Sequence, residues 1–294
     1  MIYRSGHSVL VQGITGKQGS FWTQNMQACG TNVVGGVNPK RAGERILGVP
    51  IYGSAVDAAW DGAIDISVIF IPPLQARAAV IDAIDARIRT IVVLTEHIPT
   101  RDIVDIHARA RASQSRIIGP NTAGIVTPGE GFVGIMPGGN AEVFQPGSVG
   151  VISRSGSLGT LICLDLSRAG LGQSAFIGIG GDPLIGTTTR DALIALDRDP
   201  RTRAVALIGE IGGSMEEDAA DYARGMTKPV VAFIAGRAAP PDKKMGHAGA
   251  IVSGGRGGYD SKRAALEAAG VRVTDTPNEL ARALAGLLAP SGVA

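Results

Sequence analysis

Aromatic residues make up only 4% of this sequence, and there are just two cysteines. Cys29 and Cys163 lie far apart and match no zinc or redox spacing, so a disulfide scaffold and a CxxC-type centre are both excluded. They read as ordinary thiols of a reducing compartment. An excess of one charge is missing too. Twenty-eight Lys and Arg against 26 Asp and Glu leave a net charge of +2, too little for a general nucleic-acid surface, and any basic site must be local. No apolar run is long enough to span a bilayer, and the opening residues 1–7 lack a signal-peptide layout. The expectation is a soluble, cytoplasmic protein that partners neither nucleic acid nor membrane and has no metal site of its own.

What the chain does have is glycine, 42 of them in 294 residues, with 45% hydrophobic residues to fill its cores. Without a collagen-like period, so many glycines point to tight turns where backbone must approach something closely. The length suits two α/β domains of ordinary size.

Short Val/Ile runs alternate with amphipathic stretches, as βαβ units with parallel sheets require. In the first half the spacing predicts strands at 8–12, 32–37, 65–72, 90–96 and 116–119, with helices at 19–29, 74–86 and 102–113. A stretch rich in Gly and Pro follows and reads as a connector over 126–147. The second half predicts strands at 148–153, 174–179, 204–208, 229–234 and 271–274, and helices at 158–169, 188–197, 215–225, 261–269 and 277–288. The expected organisation is two doubly wound domains, 1–125 and 148–294, joined by that connector.

The first strand runs directly into Gly13-Ile14-Thr15-Gly16-Lys17-Gln18-Gly19. A glycine turn from a first strand into a helix offers backbone N–H groups and a positive helix end to a phosphate. The spacing is neither the dinucleotide GxGxxG nor a Walker loop. A carboxylate for a ribose 2′-hydroxyl is missing at the end of the second strand, which reads Gly35-Gly36-Val37-Asn38-Pro39-Lys40-Arg41. Two cations there suit an extra phosphate on the ribose, either that of NADP or the 3′-phospho-ADP of coenzyme A. The carboxyl ends of the next strands, at Pro72 and at Leu94-Thr95-Glu96, line the same crevice, and Gly119-Pro120-Asn121-Thr122-Ala123-Gly124 closes the domain.

In the second half, Ser153–Ser157, Gly178–Pro183, Gly209–Gly213 and Ala235–Arg237 are loops of glycine and small residues at four strand ends. The first of them enters a helix whose opening turn is an anion site. His7, His97 and His107 read as ordinary surface or core histidines. His247 differs, because Gly246-His247-Ala248-Gly249-Ala250 leaves its imidazole accessible. Glu210, in a glycine loop, is placed to hold one ring nitrogen and leave the other nucleophilic.

The sequences 246–251, 209–214 and 178–183, with 12–19, 35–37, 95–96 and 119–121 in the first half, resemble the α subunit of succinyl-CoA ligase, in order and over essentially the whole chain. The resemblance implies a Rossmann-like CoA-binding domain followed by a flavodoxin-like ligase domain. It implies that His247 carries a phosphoryl group, with Glu210 orienting the ring. It further implies a partner β subunit of the ATP-grasp type that supplies ATP or GTP with Mg²⁺, and a small carboxylic acid as substrate. By motif match, Thr15, Gly16, Lys17, Gln18, Arg41, Pro72, Leu94, Thr95, Glu96 and Asn121 contact coenzyme A. Ser155, Gly156 and Ser157 bind phosphate, and Thr122 and Thr160 face the acid.

Two places depart from the pattern of members that act on succinate. Thr122-Ala123 stands where those have Cys-Pro, and Thr160 where they have tyrosine, which removes bulk and a donor from the acid site. Malate-specific members share the Ala-Gly and Ser-Gly-x-Leu-Gly features but keep the tyrosine. The acid is therefore expected to be succinate or a related dicarboxylate such as malate. An NADP-dependent oxidoreductase also accommodates Lys40 and Arg41, and a non-catalytic CoA-sensing module also accommodates the first half.

Overall fold

Strand β1 (Val9–Gln12) is fully buried along its length and leads into helix α1 (Lys17–Ala28). The computed structural model describes residues 1–239, 249 and 257–289. It divides into two units, the first comprising Met1, Tyr3–Gly139 and Leu184–Thr187, the second Ile2, Asn140–Pro183 and Thr188–Ala294.

In the first unit β1 and α1 are followed by β2 (Val33–Val37), β3 (Arg45–Ile46), β4 (Val49–Tyr52), α2 (Ala55–Asp61), β5 (Ile66–Ile69), α3 (Pro73–Asp85), β6 (Thr90–Val93), α4 (Thr100–Ser113) and β7 (Arg116–Ile118). The sheet order is β3-β4-β2-β1-β5-β6-β7, parallel throughout except for the β3/β4 pair. Setting β3 aside, this is the Rossmann order 3-2-1-4-5-6, whose switch point falls between β1 and β5. Every residue of β5 and β6 is buried, so these strands read as mostly apolar runs, with Ser67 and Thr90 the polar members, rather than alternating ones. The core collects Leu10, Ile69, Ile91 and Val93 against Val80, Ile84, Ile103 and Ile106 of the helices. Each such side chain contributes about 1.5–3 kcal/mol on burial.

Strands β8 (Gly124–Thr127) and β9 (Gly131–Gly134) form an antiparallel hairpin at the start of the stretch read as a connector. Its glycines are structural. A Cβ on Gly124 (φ +106°) would lie 2.1 Å from the Val133 carbonyl oxygen, and Gly134 opposite is equally constrained.

The second unit runs β10 (Pro146–Ser153), α5 (Gly156–Arg168), β11 (Gln173–Gly178), α6 (Thr189–Arg198), β12 (Ala204–Glu210), α7 (Met215–Ala223), β13 (Val230–Ala235), α8 (Tyr259–Ala268), β14 (Arg272–Thr274) and α9 (Pro277–Leu288). Its strands lie in the order β14-β13-β12-β10-β11, all parallel. That is the flavodoxin-like order 2-1-3-4-5, with the switch point between β10 and β12. Capping is explicit where helices must start on cue: Ser155 caps α5, and Thr188 with Asp191 makes a reciprocal capping box on α6. Among the described residues no helix is long and apolar enough to cross a membrane.

Candidate active site

In an open parallel sheet, ligands gather beyond the carboxyl ends of the strands at the switch point. Both units place their glycine loops there.

In the first unit β1 ends at Gly13, whose φ of +85° and close approach to β5 require glycine, since a Cβ would lie 2.6 Å from the Phe70 carbonyl oxygen. Gly19 packs back on the same turn, where a Cβ would be 2.1 Å from the Gly13 oxygen. Gly16 donates its N–H to that oxygen at 3.0 Å and stands at the N-cap of α1. No side chain caps this helix and its first turn holds no acid, so its positive pole is left for an anion. Gly16, Lys17 and Gln18 are exposed around it, and Thr15 is partly buried. Asn38 donates from Nδ2 to Thr15 Oγ1 at 2.6 Å, and its own Oδ1 accepts from the Lys40 backbone N–H at 2.9 Å. One amide thus ties the glycine loop to the basic turn after β2.

Arg41 reaches sideways in that turn. Its Nε and Nη2 donate to Glu44 Oε2 at 2.9 and 2.5 Å. The guanidinium holds the Glu44 carboxyl below the usual carboxylate range, and Arg41 is raised in turn. Both side chains are about half exposed, so the pair is weak and a phosphate can compete for it.

The neighbouring strand ends are laced together by hydrogen bonds to backbone carbonyls. Thr95 Oγ1 donates to the Ile71 carbonyl at 2.6 Å, and the Asn121 N–H donates to the Thr95 carbonyl at 3.0 Å. Pro72 stands at the N-cap of α3, Leu94 is partly buried, and Glu96 is exposed with its carboxylate 3.5 Å from His97. Thr122, by contrast, is 3% exposed and its Oγ1 accepts from the Gly124 N–H at 2.9 Å, inside its own turn. Glycines, an uncapped helix and a lysine fit a cofactor that carries phosphates. In both units burial raises the thiols of Cys29 and Cys163 above their ordinary range, which leaves them poor nucleophiles.

The second unit builds its turn differently. Ser153 is buried and donates from Oγ to the Ser155 carbonyl at 2.7 Å. Ser155 Oγ accepts from the Leu158 N–H at 3.3 Å and lies 3.3 Å from the hydroxyl of exposed Ser157. Gly156 is the first residue of α5, and Thr160 Oγ1 donates to its carbonyl at 2.8 Å. The Thr160 hydroxyl therefore serves the helix itself.

Glu210 closes β12 at 8% exposure. Beside it Arg154, 3% exposed, sets Nη2 3.3 Å from Glu210 Oε1 and donates from Nη1 to the Gly212 carbonyl at 3.0 Å. A buried guanidinium is tolerated only where such partners are present. The Arg154 N–H also donates to the Ile208 carbonyl at 3.3 Å, which fixes the residue on the switch point. Gly249 donates its N–H to the Gly181 carbonyl at 3.2 Å, and a Cβ there would lie 2.7 Å from Arg154 Nη2. Arg154 was not among the sequence-predicted site residues. Its signal was a lone cation among small residues one position after a buried strand. His247 lies outside the described residues.

Residues 5–97 match the CoA binding domain family, and residues 152–272 the CoA-ligase family. The succinate–CoA ligase [ADP-forming] subunit alpha 2 of Archaeoglobus fulgidus is 49% identical, over 95% of this chain and 96% of its own. The ADP-forming sulfoacetate-CoA ligase subunit SqwL of an Acholeplasma species is 42% identical, over 94% of each chain. Among solved structures, ATP citrate lyase from Methanothrix soehngenii in complex with citrate and coenzyme A superposes with a TM-score of 0.89 at 26% identity. That likeness covers 98% of this chain, which spans 51% of the lyase chain.

Proposed function

The chain belongs to the family of succinate–CoA ligase alpha subunits, and from that premise we propose that it is the coenzyme A-binding, phosphohistidine-carrying subunit of an ADP-forming acyl-CoA synthetase. The net reaction joins a carboxylate to coenzyme A with conversion of ATP to ADP and phosphate. The observation that carries this reading is full-length similarity, in order, to relatives of one reaction class, with Glu210 and Arg154 set together at the switch point of the CoA-ligase half.

Residues 1–125 hold coenzyme A, residues 126–147 connect, and residues 148–294 carry the phosphoryl group. Thr15, Gly16, Lys17 and Gln18 offer the α1 terminus to the cofactor's phosphates, and Arg41 exchanges Glu44 for the ribose phosphate. Pro72, Leu94, Thr95, Glu96 and Asn121 border its path. The partner is an ATP-grasp β subunit, which holds ATP and Mg²⁺. His247 takes the γ-phosphoryl group and passes it to the carboxylate, which gives an acyl phosphate and frees the imidazole. Glu210 accepts the hydrogen bond of one ring nitrogen and so keeps the other nucleophilic. Ser155, Gly156 and Ser157 at the start of α5 receive the phosphoryl oxygens. Coenzyme A supplies the thiol that accepts the acyl group.

The acid is succinate or a related dicarboxylate. Thr160 leaves room for a differently substituted acid, and a relative is named for sulfoacetate. Thr122 and Thr160 are the residues proposed, by motif match, to contact the acid. The test is reconstitution with the ATP-grasp subunit, ATP and a panel of carboxylates, with acyl-CoA and ADP measured together. Stoichiometric acyl-CoA and ADP with one acid supports the ligase reading. Coenzyme A binding without acyl-CoA from any acid would favour a sensing module.

A further inference from the structure

A second polar cluster lies behind the ligase-half site. Lys262 of α8 and Glu216 of α7 are fully buried, and the Glu217 side chain is 8% exposed. Lys262 Nζ pairs with Glu216 Oε2 and sits 3.3 Å from Glu217 Oε2. We propose that Glu216, Glu217 and Lys262 form a positioning unit that fixes the backbone of Glu210 and of Gly257, downstream of His247 in the same segment. The inference rests on the reading that Glu210 orients the phosphorylated imidazole.

Stability alone accounts poorly for the cluster. Buried ion pairs lose in desolvation much of what they gain in attraction, and apolar replacements of similar volume are often neutral or stabilising. Acids in the first turn of α7 complement its positive end, but exposed acids would do so equally well. What burial adds is a set of fixed acceptors. Glu216 Oε1 accepts the Glu210 N–H at 3.3 Å. Glu217 Oε1 accepts the Gly257 N–H at 3.0 Å and the Ser261 hydroxyl at 2.8 Å. The Gly257 carbonyl then accepts the Gly212 N–H at 2.8 Å, which closes a circuit through the strand end that carries Glu210.

The surrounding glycines are cut to this circuit. A Cβ on Gly209 would lie 2.7 Å from Glu216 Oε1 and 2.8 Å from its Cγ, so the strand must be bare where that carboxylate crosses it. Gly257 has φ +80°, and a Cβ there would meet the Gly213 carbonyl oxygen at 2.7 Å. Lys262 offsets part of the charge of the two carboxylates that sit so deep. The two glutamates act through backbone that they hold, Lys262 acts through the glutamates, and none touches a reacting group.

The test compares two triple variants of equal charge: Glu216→Met/Glu217→Gln/Lys262→Met and Glu216→Gln/Glu217→Gln/Lys262→Met. They differ only in whether position 216 can accept the Glu210 N–H. Each is assembled with the ATP-grasp subunit and read for Tm, coenzyme A Kd and the single-turnover rate of His247 phosphorylation by ATP. Both are expected to fold with coenzyme A affinity unchanged. The first should phosphorylate about 100-fold more slowly than wild type, the loss expected of a misplaced group. The second should recover to within about fivefold, because its amide restores the acceptor. A fast first variant, or two equally slow ones, would overturn the proposal. Should neither fold, Glu217→Leu is read instead: a rate about tenfold down with unchanged coenzyme A Kd supports it, and an unchanged rate overturns it. Wild type that takes no label on His247 would remove the ligase reading itself, an outcome distinct from labelled wild type with a fast variant.

Discussion

The two switch-point turns solve the same problem by opposite means. At 13–19 the chain uses glycines and no cap, so the pole of α1 stays open and its neighbours Lys17 and Gln18 are exposed. At 153–157 the chain uses hydroxyls. Ser155 caps α5 itself, and the charge lies one residue upstream as a buried Arg154 already matched to Glu210. An open pole suits a large ligand that arrives from water with its own phosphates. A pre-paired charge in a dry setting suits a small anion that is handed over, held briefly and passed on, because little has to reorganise when it arrives. The contrast in burial also predicts different sensitivity to salt, since screening acts on exposed charges far more than on buried ones.

The sharpest way to break the contrast is Arg154→Met. It removes the cation beside a buried carboxylate, and stability should fall by about 3 kcal/mol, measured by urea unfolding of the whole chain. Arg154→Met/Glu210→Gln should regain most of that stability and still phosphorylate slowly. Full phosphorylation by the single variant would show that the guanidinium does not set Glu210. Gly19→Ala is the counterpart in the other unit. Its methyl must displace the Gly13 carbonyl, and coenzyme A affinity should fall about 100-fold by calorimetric titration. Labelling of His247 by ATP should persist, and loss of both would mean that the turns do not act separately.

How far the sequence carried the reading can be judged at particular elements. The βαβ alternation was legible because β5, β6, β11 and β12 are buried end to end and carry clustered apolar residues without the in-out alternation of a half-exposed strand. The Rossmann-like and flavodoxin-like expectations agree with the observed strand orders. The β3/β4 pair was not legible, since it is short, half exposed and interrupted by Gly48 and Pro50. Helix α2, seven residues long, gave too little period to register. What the connector reading of 126–147 did not show is the hairpin at its start, where Gly131 and Gly134, with Gly124 just upstream, serve close packing rather than simple turns. Glu210 was legible as a candidate from its glycine loop. Arg154 was not, because hydroxyls and glycines around it drew the reading toward an anion site made of helix terminus alone.

Smaller effects sharpen each side. Thr160→Tyr restores the bulk and donor that the helix-bound threonine lacks, and should shift kcat/KM toward succinate over a bulkier or sulfonated acid by about tenfold. An unchanged preference would move acid selection elsewhere. Glu44→Gln should release Arg41 for the ribose phosphate and tighten coenzyme A binding about two- to threefold at low salt, with the gain vanishing at high salt. Weaker binding would mean that Glu44 holds Arg41 in its working position.

The central claim is tested most directly by mixing the chain with the proposed ATP-grasp partner, Mg²⁺ and γ-labelled ATP, and asking where the label goes. The account predicts acid-labile phosphate on His247 that is absent from His247→Ala, scarce in Glu210→Gln, and discharged by the carboxylate, with acyl-CoA and free phosphate formed once coenzyme A is also present. Label that stays on nucleotide while coenzyme A binds normally, or label on any residue other than His247, would contradict it.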